Sequence, residues 1–263
     1  MARLKEIGWD GVEVPILSGQ AEDYAALGRR LDALGLERTA TAIVPSPDGD
    51  PTSADPAVRA RGIAHLDWAL DCAVALGAQS LGGPIHAPLG HFTGKGPTED
   101  ELARGAEAHR SLAERAQQAG MILALETLNR FETHFLNTAE QARAYGERVG
   151  HPACRIMHDT FHANIEERDP VGAPATLGEH LGVLHVSEND RGIPGRGHID
   201  FSAIFARLRR SGWDGWVVME AFGSGLPDIA AATRVWRPLF PDLDTLWTEG
   251  HAFIRRTWDG AAP

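Results

Sequence analysis

Cysteine is nearly absent: Cys72 and Cys154 are the only two in 263 residues. That excludes a disulfide framework and makes a reducing cytoplasm the expected compartment. Long apolar runs are missing as well. No stretch approaches the ~18 residues of a membrane span, and the opening ARLKEIGWDG carries no signal-peptide core. Positive charge is in deficit, with 25 Lys and Arg against 36 Asp and Glu for a net charge of −11. A phosphate backbone wants a basic face, so neither nucleic acid nor a membrane is an expected partner. No Gly/Pro/Ser linker divides the chain either. A single domain over 1–263 is therefore expected, a length routine for one α/β barrel.

What is present is a repeated local grammar. IGWDGVEV (7–14) and SGWDGWVVME (211–220) are nearly the same phrase. In each, a glycine follows a helical run, and a β-rich run follows Trp-Asp-Gly. LDALG before LERTATAIV, ALG before AQSLGGPI, QQAG before MILALETL and GERVG before HPACRIMHD repeat it more loosely. Glycine just past a helix end is the favoured left-handed cap, and the short apolar runs beyond it suit buried parallel strands. The segments between them read as helices. Asp55-Pro56 offers an N-cap with proline in the first turn, and Thr98/Glu101 and Thr138/Gln141 fit capping boxes.

Strand alternating with helix throughout means a parallel sheet. Seven strands are predicted, at about 10–16, 38–44, 79–85, 122–128, 154–159, 182–187 and 215–220. The expected fold is a (β/α)8 TIM barrel in which the strand that should precede the first helix is absent, with an opening beside strand 10–16.

In such a barrel the active site gathers at the carboxyl ends of the strands. Those ends read Glu13, then Glu126, Asp159, His185 and Glu220. The last four come from consecutive strands and would share one mouth, where three carboxylates need a neutralising charge. A divalent cation provides it, and an oxygen-rich set with one imidazole suits Mn²⁺, Mg²⁺ or Co²⁺ better than a thiolate-type zinc site. Each residue also has a plainer reading. Asp159 could cap the next helix, His185 could be a satisfied core histidine, and Glu220 could pair with an arginine. Their coincidence at equivalent strand ends favours the metal.

Other motifs are weaker. GHFTGKG (90–96) lacks the spacing and the final Ser/Thr of a phosphate loop and reads as a lid. RGIPGRG (191–197) reads as a loop between strand and helix. Trp68, Trp236, Trp247 and Trp258 fall in helical stretches and read as packing. His158 and His162 are four apart but lie on a strand and its exit, so they do not form a zinc-protease pair.

The stretches ETLNRFETHFLNT (126–138), DTFHANIEE (159–167), HVSENDRGIPGRG (185–197) and VMEAF (218–222) resemble the D-tagatose 3-epimerase family, which includes D-allulose (psicose) and L-ribulose 3-epimerases. The resemblance covers the second half of the chain; the first half matches in layout only. It implies an isomerase on a TIM barrel holding one divalent ion, Mn²⁺ first and Co²⁺ or Mg²⁺ as alternatives. Its ligands would be Glu126, Asp159, His185 and Glu220. It further implies substrate contacts from Glu132, His162 and Arg191, with Asn164 to Glu167 as loop scaffolding. A homo-oligomer, dimer or tetramer, is the expected assembly. Ala221 and Phe201 depart from a proline and a tryptophan common in the family.

By the same resemblance, Glu126 and Glu220 would remove and return the C3 proton of a free ketose through a cis-enediolate. Three other readings stay open at this point. They are a hydroxypyruvate isomerase or inosose dehydratase on the same scaffold, an endonuclease IV-like protein with a trinuclear zinc cluster, and a non-catalytic metal-dependent sugar-binding protein.

Overall fold

In a computed structural model, which describes residues 1–225 and 227–261, helices and strands alternate from end to end. The order is α1 (Ala2–Ile7), β1 (Gly11–Pro15), α2 (Ala21–Leu34), β2 (Glu37–Thr41), α3 (Pro56–Leu76), β3 (Ser80–Gly83), α4 (Glu99–Gln118) and β4 (Ile122–Glu126). There follow α5 (Ala139–Val149), β5 (Cys154–Asp159), α6 (Thr160–Glu166), α7 (Ala173–Thr176), β6 (Leu181–Val186), α8 (Phe201–Arg210), β7 (Trp216–Met219), α9 (Pro227–Thr233) and α10 (Leu243–Gly260). All seven expected strands form, with ends shifted by three residues at most.

The local signals explain these boundaries. Asp55 accepts from the Ala57 amide at 2.8 Å with Pro56 in the first turn of α3. Both capping boxes close at the starts of α4 and α5. Gly8, Gly35, Gly77, Gly120, Gly150 and Gly212 leave their helices with φ between 61° and 110°, the left-handed turn that the repeated grammar requires.

The strands pair in parallel in sequence order, β1 through β7. Each crossover helix covers the outer face, and the main core lies between sheet and helices, with Leu31, Leu66, Phe201 and Phe205 almost fully buried. A second, smaller core fills the barrel beneath the mouth, built from Ala124, Met157 and Val183 and flanked by Trp216 and Val218. Gly82 on β3 makes that layer possible: a side chain there would collide with the tip of Met157.

The barrel stays open at one seam. β1 and β7 are the two ends of the strand order and do not pair with each other. Between them runs a cleft of about 720 Å³, lined by both strands and by Leu4, Trp247, Ile254 and Trp258. The opening expected beside the first strand is thus present. No helix among the described residues is long and apolar enough to cross a membrane.

Two sequence expectations need correction. Trp236 lies outside any helix and is 75% exposed, so it does not pack the core; the turn at Arg234, with φ 58°, ends the helical pattern before it. Asn164 to Glu166 lie in α6 rather than in a loop, because Asp159 caps that helix as soon as β5 ends. Their scaffolding part does hold. Glu166 takes the Arg130 amide and guanidinium at 2.7 and 2.9 Å, Glu167 takes the Ala139 amide at 2.7 Å, and Asn164 meets His198 at 3.1 Å.

Candidate active site

The sheet register delivers the four strand-end groups to one place. Glu126 closes β4 and pairs with Met157; Asp159 closes β5 opposite His185; His185 stands opposite Val218; Glu220 follows β7 directly. One donor atom from each of Glu126, Asp159, His185 and Glu220 lies within 4.8 Å of all the others. Glu126, Asp159 and His185 are buried. The Glu220 side chain keeps 23% of its exposure because its strand borders the seam.

Three carboxylates so close, two of them buried, cannot all ionise freely. Burial, reinforced by Glu220, pushes Glu126 well above the usual carboxylate range. Burial likewise lifts Asp159 to about 7, against the pull of Arg191. Glu220 goes the other way: burial opposes it, but the Arg191 guanidinium and His185 hold it below the usual range. Burial alone would depress His185, yet Glu13 and Glu220 outweigh it and raise the imidazole well above its ordinary value.

These residues fit a divalent cation. Both ring nitrogens of His185 are buried without a hydrogen-bond partner, and Nδ1 faces Glu220 Oε1 at 3.5 Å and Asp159 Oδ2 at 3.8 Å. A core histidine satisfied by the protein would not leave those atoms bare. Three carboxylates and one imidazole form the oxygen-rich donor set that Mn²⁺, Co²⁺ or Mg²⁺ accepts.

The plainer readings of the acids hold at the same time. Asp159 Oδ1 caps α6 by accepting from Phe161 and His162 amides at 2.7 and 3.0 Å, which leaves Oδ2 for the cluster. Glu220 does pair with an arginine, Arg191. Cap and ion pair act here as the devices that hold the donors in place.

Arg191 is the hub beside the cluster. Its Nη1 donates to Ser187 Oγ at 2.9 Å, to Asp159 Oδ2 at 3.2 Å and to Glu220. Its guanidinium lies 3.8 Å from the Phe161 ring centre, a favourable cation–π distance. To aim inward it adopts φ 67°, an uncommon conformation for a residue with a side chain. Glu188 fixes the loop that forces this turn, accepting from the Asn189, Gly195 and Ile199 amides.

His162 stands next to it. Its Nδ1 takes the Asn129 amide at 3.0 Å, while its Nε2 faces Arg191 Nη2 at 3.0 Å. Burial, then Arg191, keeps this imidazole neutral, well below its ordinary value. A neutral ring can accept at one nitrogen only, and both nitrogens here meet donors. With Nδ1 accepting, Nε2–H and the guanidinium present two donors side by side, an arrangement that an oxygen acceptor from a ligand would satisfy.

Glu132 joins this group through Asn129, whose Nδ2 donates to Glu132 Oε1 at 2.9 Å and lies 2.8 Å from His162 Nδ1. The structure thus gathers Glu132, His162 and Arg191 beside the four strand-end groups. Sequence reasoning missed Asn129, although its place three residues before Glu132 in a strand-exit turn was a usable signal. It also named Glu13 as a strand-end acid without giving it a partner; that partner is His185.

The family model described as xylose isomerase-like TIM barrel matches residues 1–257. A ketose 3-epimerase of Arthrobacter globiformis is 36% identical over 96% of this chain and 88% of its own length. An L-ribulose 3-epimerase of Mesorhizobium japonicum is also 36% identical, over 97% and 86%. Among solved structures, an L-ribulose 3-epimerase superimposes with a TM-score of 0.92 at 35% identity, covering 99% of this chain and 88% of that one. A D-allulose 3-epimerase from Methylomonas sp. in complex with D-allulose gives 0.89 at 32% identity, covering 97% and 88%. The seam and the four gathered strand ends therefore lie in a chain that belongs to the xylose isomerase-like TIM barrel family and stands, within it, with the isomerase-class ketose 3-epimerases.

Proposed function

We propose that this protein is a ketose 3-epimerase acting on a free sugar, with one divalent cation held by Glu126, Asp159, His185 and Glu220. The observation that carries the reading is the pair Glu126 and Glu220. Both donate to one buried cluster, and their environments push their protonation in opposite directions. Paired titratable groups split in this way are the usual mark of an acid and a base working together.

A bound cation would supply positive charge opposite the oxygens on which an enediolate develops its negative charge. The protein's own groups do the rest. Arg191 and the Nε2–H of His162 receive the carbonyl end of the sugar, with the C2 carbonyl acidifying the neighbouring C3 proton. Glu220, kept ionised by Arg191, takes that proton from one face. Glu126, on the other face, returns one, which inverts the centre. The reverse reaction exchanges the two roles. Asn129 and Glu132 hold His162 in register, so that positioning is complete before the proton moves.

A free sugar suits the site better than a phosphate ester, because Arg191 is already committed to Asp159 and Glu220. The names of the relatives, L-ribulose and D-allulose 3-epimerase, support ketopentoses and ketohexoses as the substrate class. The test is to incubate the Mn²⁺-loaded protein with a panel of both classes in D₂O. C3 epimers should appear with deuterium at C3 from the first turnovers, since the proton returned is not the proton removed. Label at C1 or C2 would mean an aldose–ketose isomerase, loss of water a dehydratase, and binding without turnover a sugar-binding protein.

A further inference from the structure

Glu13 has no place in the chemistry described so far, yet it is largely buried and aimed into the barrel. Its side chain is 11% exposed, and its Oε1 lies 3.0 Å from His185 Nε2, an ion-pair distance reached off the line of a hydrogen bond. Its other oxygen, Oε2, accepts from the Thr39 hydroxyl at 3.0 Å; Thr39 is the register partner of Glu13 on β2 and is itself buried. Among the described residues, His185 is the only basic side chain within ion-pair distance of Glu13.

The imidazole has two nitrogens, and the two edges of this ring face different groups. Nδ1 faces Glu220 and Asp159, while Nε2 faces Glu13. The ring therefore stands between Glu13 and the cluster, and Glu13 does not serve as a further ligand through that edge. Left to Asp159 and Glu220 alone, a neutral His185 would place its proton on Nδ1 and donate it to them. That tautomer has no lone pair for a cation. A carboxylate on the opposite edge pulls the proton to Nε2 and frees Nδ1. Such carboxylate–histidine–metal relays set the tautomer and ring orientation of metal-ligating histidines in general.

We infer that Glu13, held by Thr39, is a positioning residue that fixes His185 in the Nε2–H tautomer and turns its Nδ1 toward the metal. The inference rests on the reading of the cluster as a metal centre. It adds a strand, β1, to the machinery of a site whose donors all come from the β4–β7 side of the barrel.

Calorimetric titration of the metal-stripped protein with Mn²⁺, without substrate, separates the two ideas. Wild type should bind one Mn²⁺ per chain. Glu13→Gln keeps the shape and removes the charge, and should weaken Mn²⁺ roughly 10- to 100-fold, the range typical of such partners. Thr39→Val leaves the carboxylate in place but untethered and should weaken Mn²⁺ less than Glu13→Gln. It also guards against a Glu13 variant that fails to fold. The direct readout is ¹⁵N NMR of the imidazole in the diamagnetic Zn²⁺-loaded protein. His185 should carry its proton on Nε2 in wild type, and Glu13→Gln should shift that proton's resonance. Mn²⁺ affinity within threefold of wild type in folded Glu13→Gln, or a proton on Nδ1 in wild type, overturns the inference. Wild type that takes up no divalent ion overturns the metal centre and this inference with it.

Discussion

Strands β4 to β6 and the seam strands β1 and β7 are built from the same grammar but end in different surroundings. β4, β5 and β6 are buried almost end to end. β7 is only half-buried at each position, and β1 reaches full burial only at Val14. The first group has neighbours on both edges, whereas β1 and β7 each keep one edge free. Yet the candidate site takes residues from both regions. Glu126, Asp159 and His185 sit on the enclosed strands; Glu220 and Glu13 come from the seam. A functional mouth does not require uniform packing beneath it, provided that ion pairs and caps fix each donor.

The largest effects should come from the two glutamates, one on each side of this divide. Glu126→Gln and Glu220→Gln each remove a proton carrier and a metal donor. Each should lower kcat by more than the ~10²–10⁴-fold usual for a single general acid or base. If seam and enclosed strands contribute equally to the chemistry, the two losses should be similar. Near wild-type epimerisation by Glu220→Gln with metal bound would end the two-glutamate mechanism and make the seam side dispensable.

Acid should unfold the protein through the enclosed side. His86, His109 and His158 are buried there, and burial lowers them to about 3, 4 and 4. In the unfolded chain each takes a proton near pH 6.5. The unfolded state therefore binds more protons below that value. The contribution of these residues is fully present above pH 6.5 and is lost as pH falls from there toward 4. Each contributes at most about 1.4 kcal/mol per pH unit in that window. Urea midpoints measured from pH 7 to 4.5 should fall, and His109→Gln should flatten the slope. An unchanged slope would place the acid sensitivity elsewhere.

The packing contrast itself can be measured. Leu184 on β6 is fully buried, and Leu184→Ala should destabilise by about 2–5 kcal/mol through lost burial and a cavity. Val217 on β7 is half-buried, so Val217→Ala should cost about 1 kcal/mol or less in urea unfolding. Equal losses at the two positions would mean that the seam is as well packed as the rest.

Most of the fold was legible because its signals are local. A helix-ending glycine, a capping box and a short apolar run each act within a few residues, and the apolar run recurs at all seven strands. The four clustered donors were legible for a topological reason: parallel strands bring their carboxyl ends to one rim, so end residues can be grouped without coordinates. What stayed hidden depends on side chains crossing space. Asn129 tying Glu132 to His162, and Glu13 reaching His185 across the barrel from β1, involve partners 33 and 172 positions apart in numbering (162 − 129 and 185 − 13). Trp236 misled because a helical pattern says nothing about whether a later turn carries the residue out to solvent.

A small effect should also come from the seam, and it tests whether the cleft is a gap or a finished surface. A right-handed crossover from a strand in the cleft into α1, and then into β1, is the connection that parallel sheets use almost without exception. Leu4 of α1 already lines the cleft, so α1 lies where such a crossover needs it. A five-residue apolar segment such as Val-Ile-Val-Thr-Val, joined ahead of Met1 by a short Gly-Asn turn, could pair with both free edges. Ordering it costs about 1.5 kcal/mol per residue. The apolar faces of Trp247, Ile254 and Trp258 would gain roughly 25 cal/mol for each Å² they bury. These terms nearly offset, so the net gain should be on the order of 1–2 kcal/mol, read as a modest rise in Tm. The same segment carrying Asp at its two central positions should give no gain, because the charges would enter an apolar cleft. If both extensions leave Tm unchanged, the cleft does not accept a strand in this way.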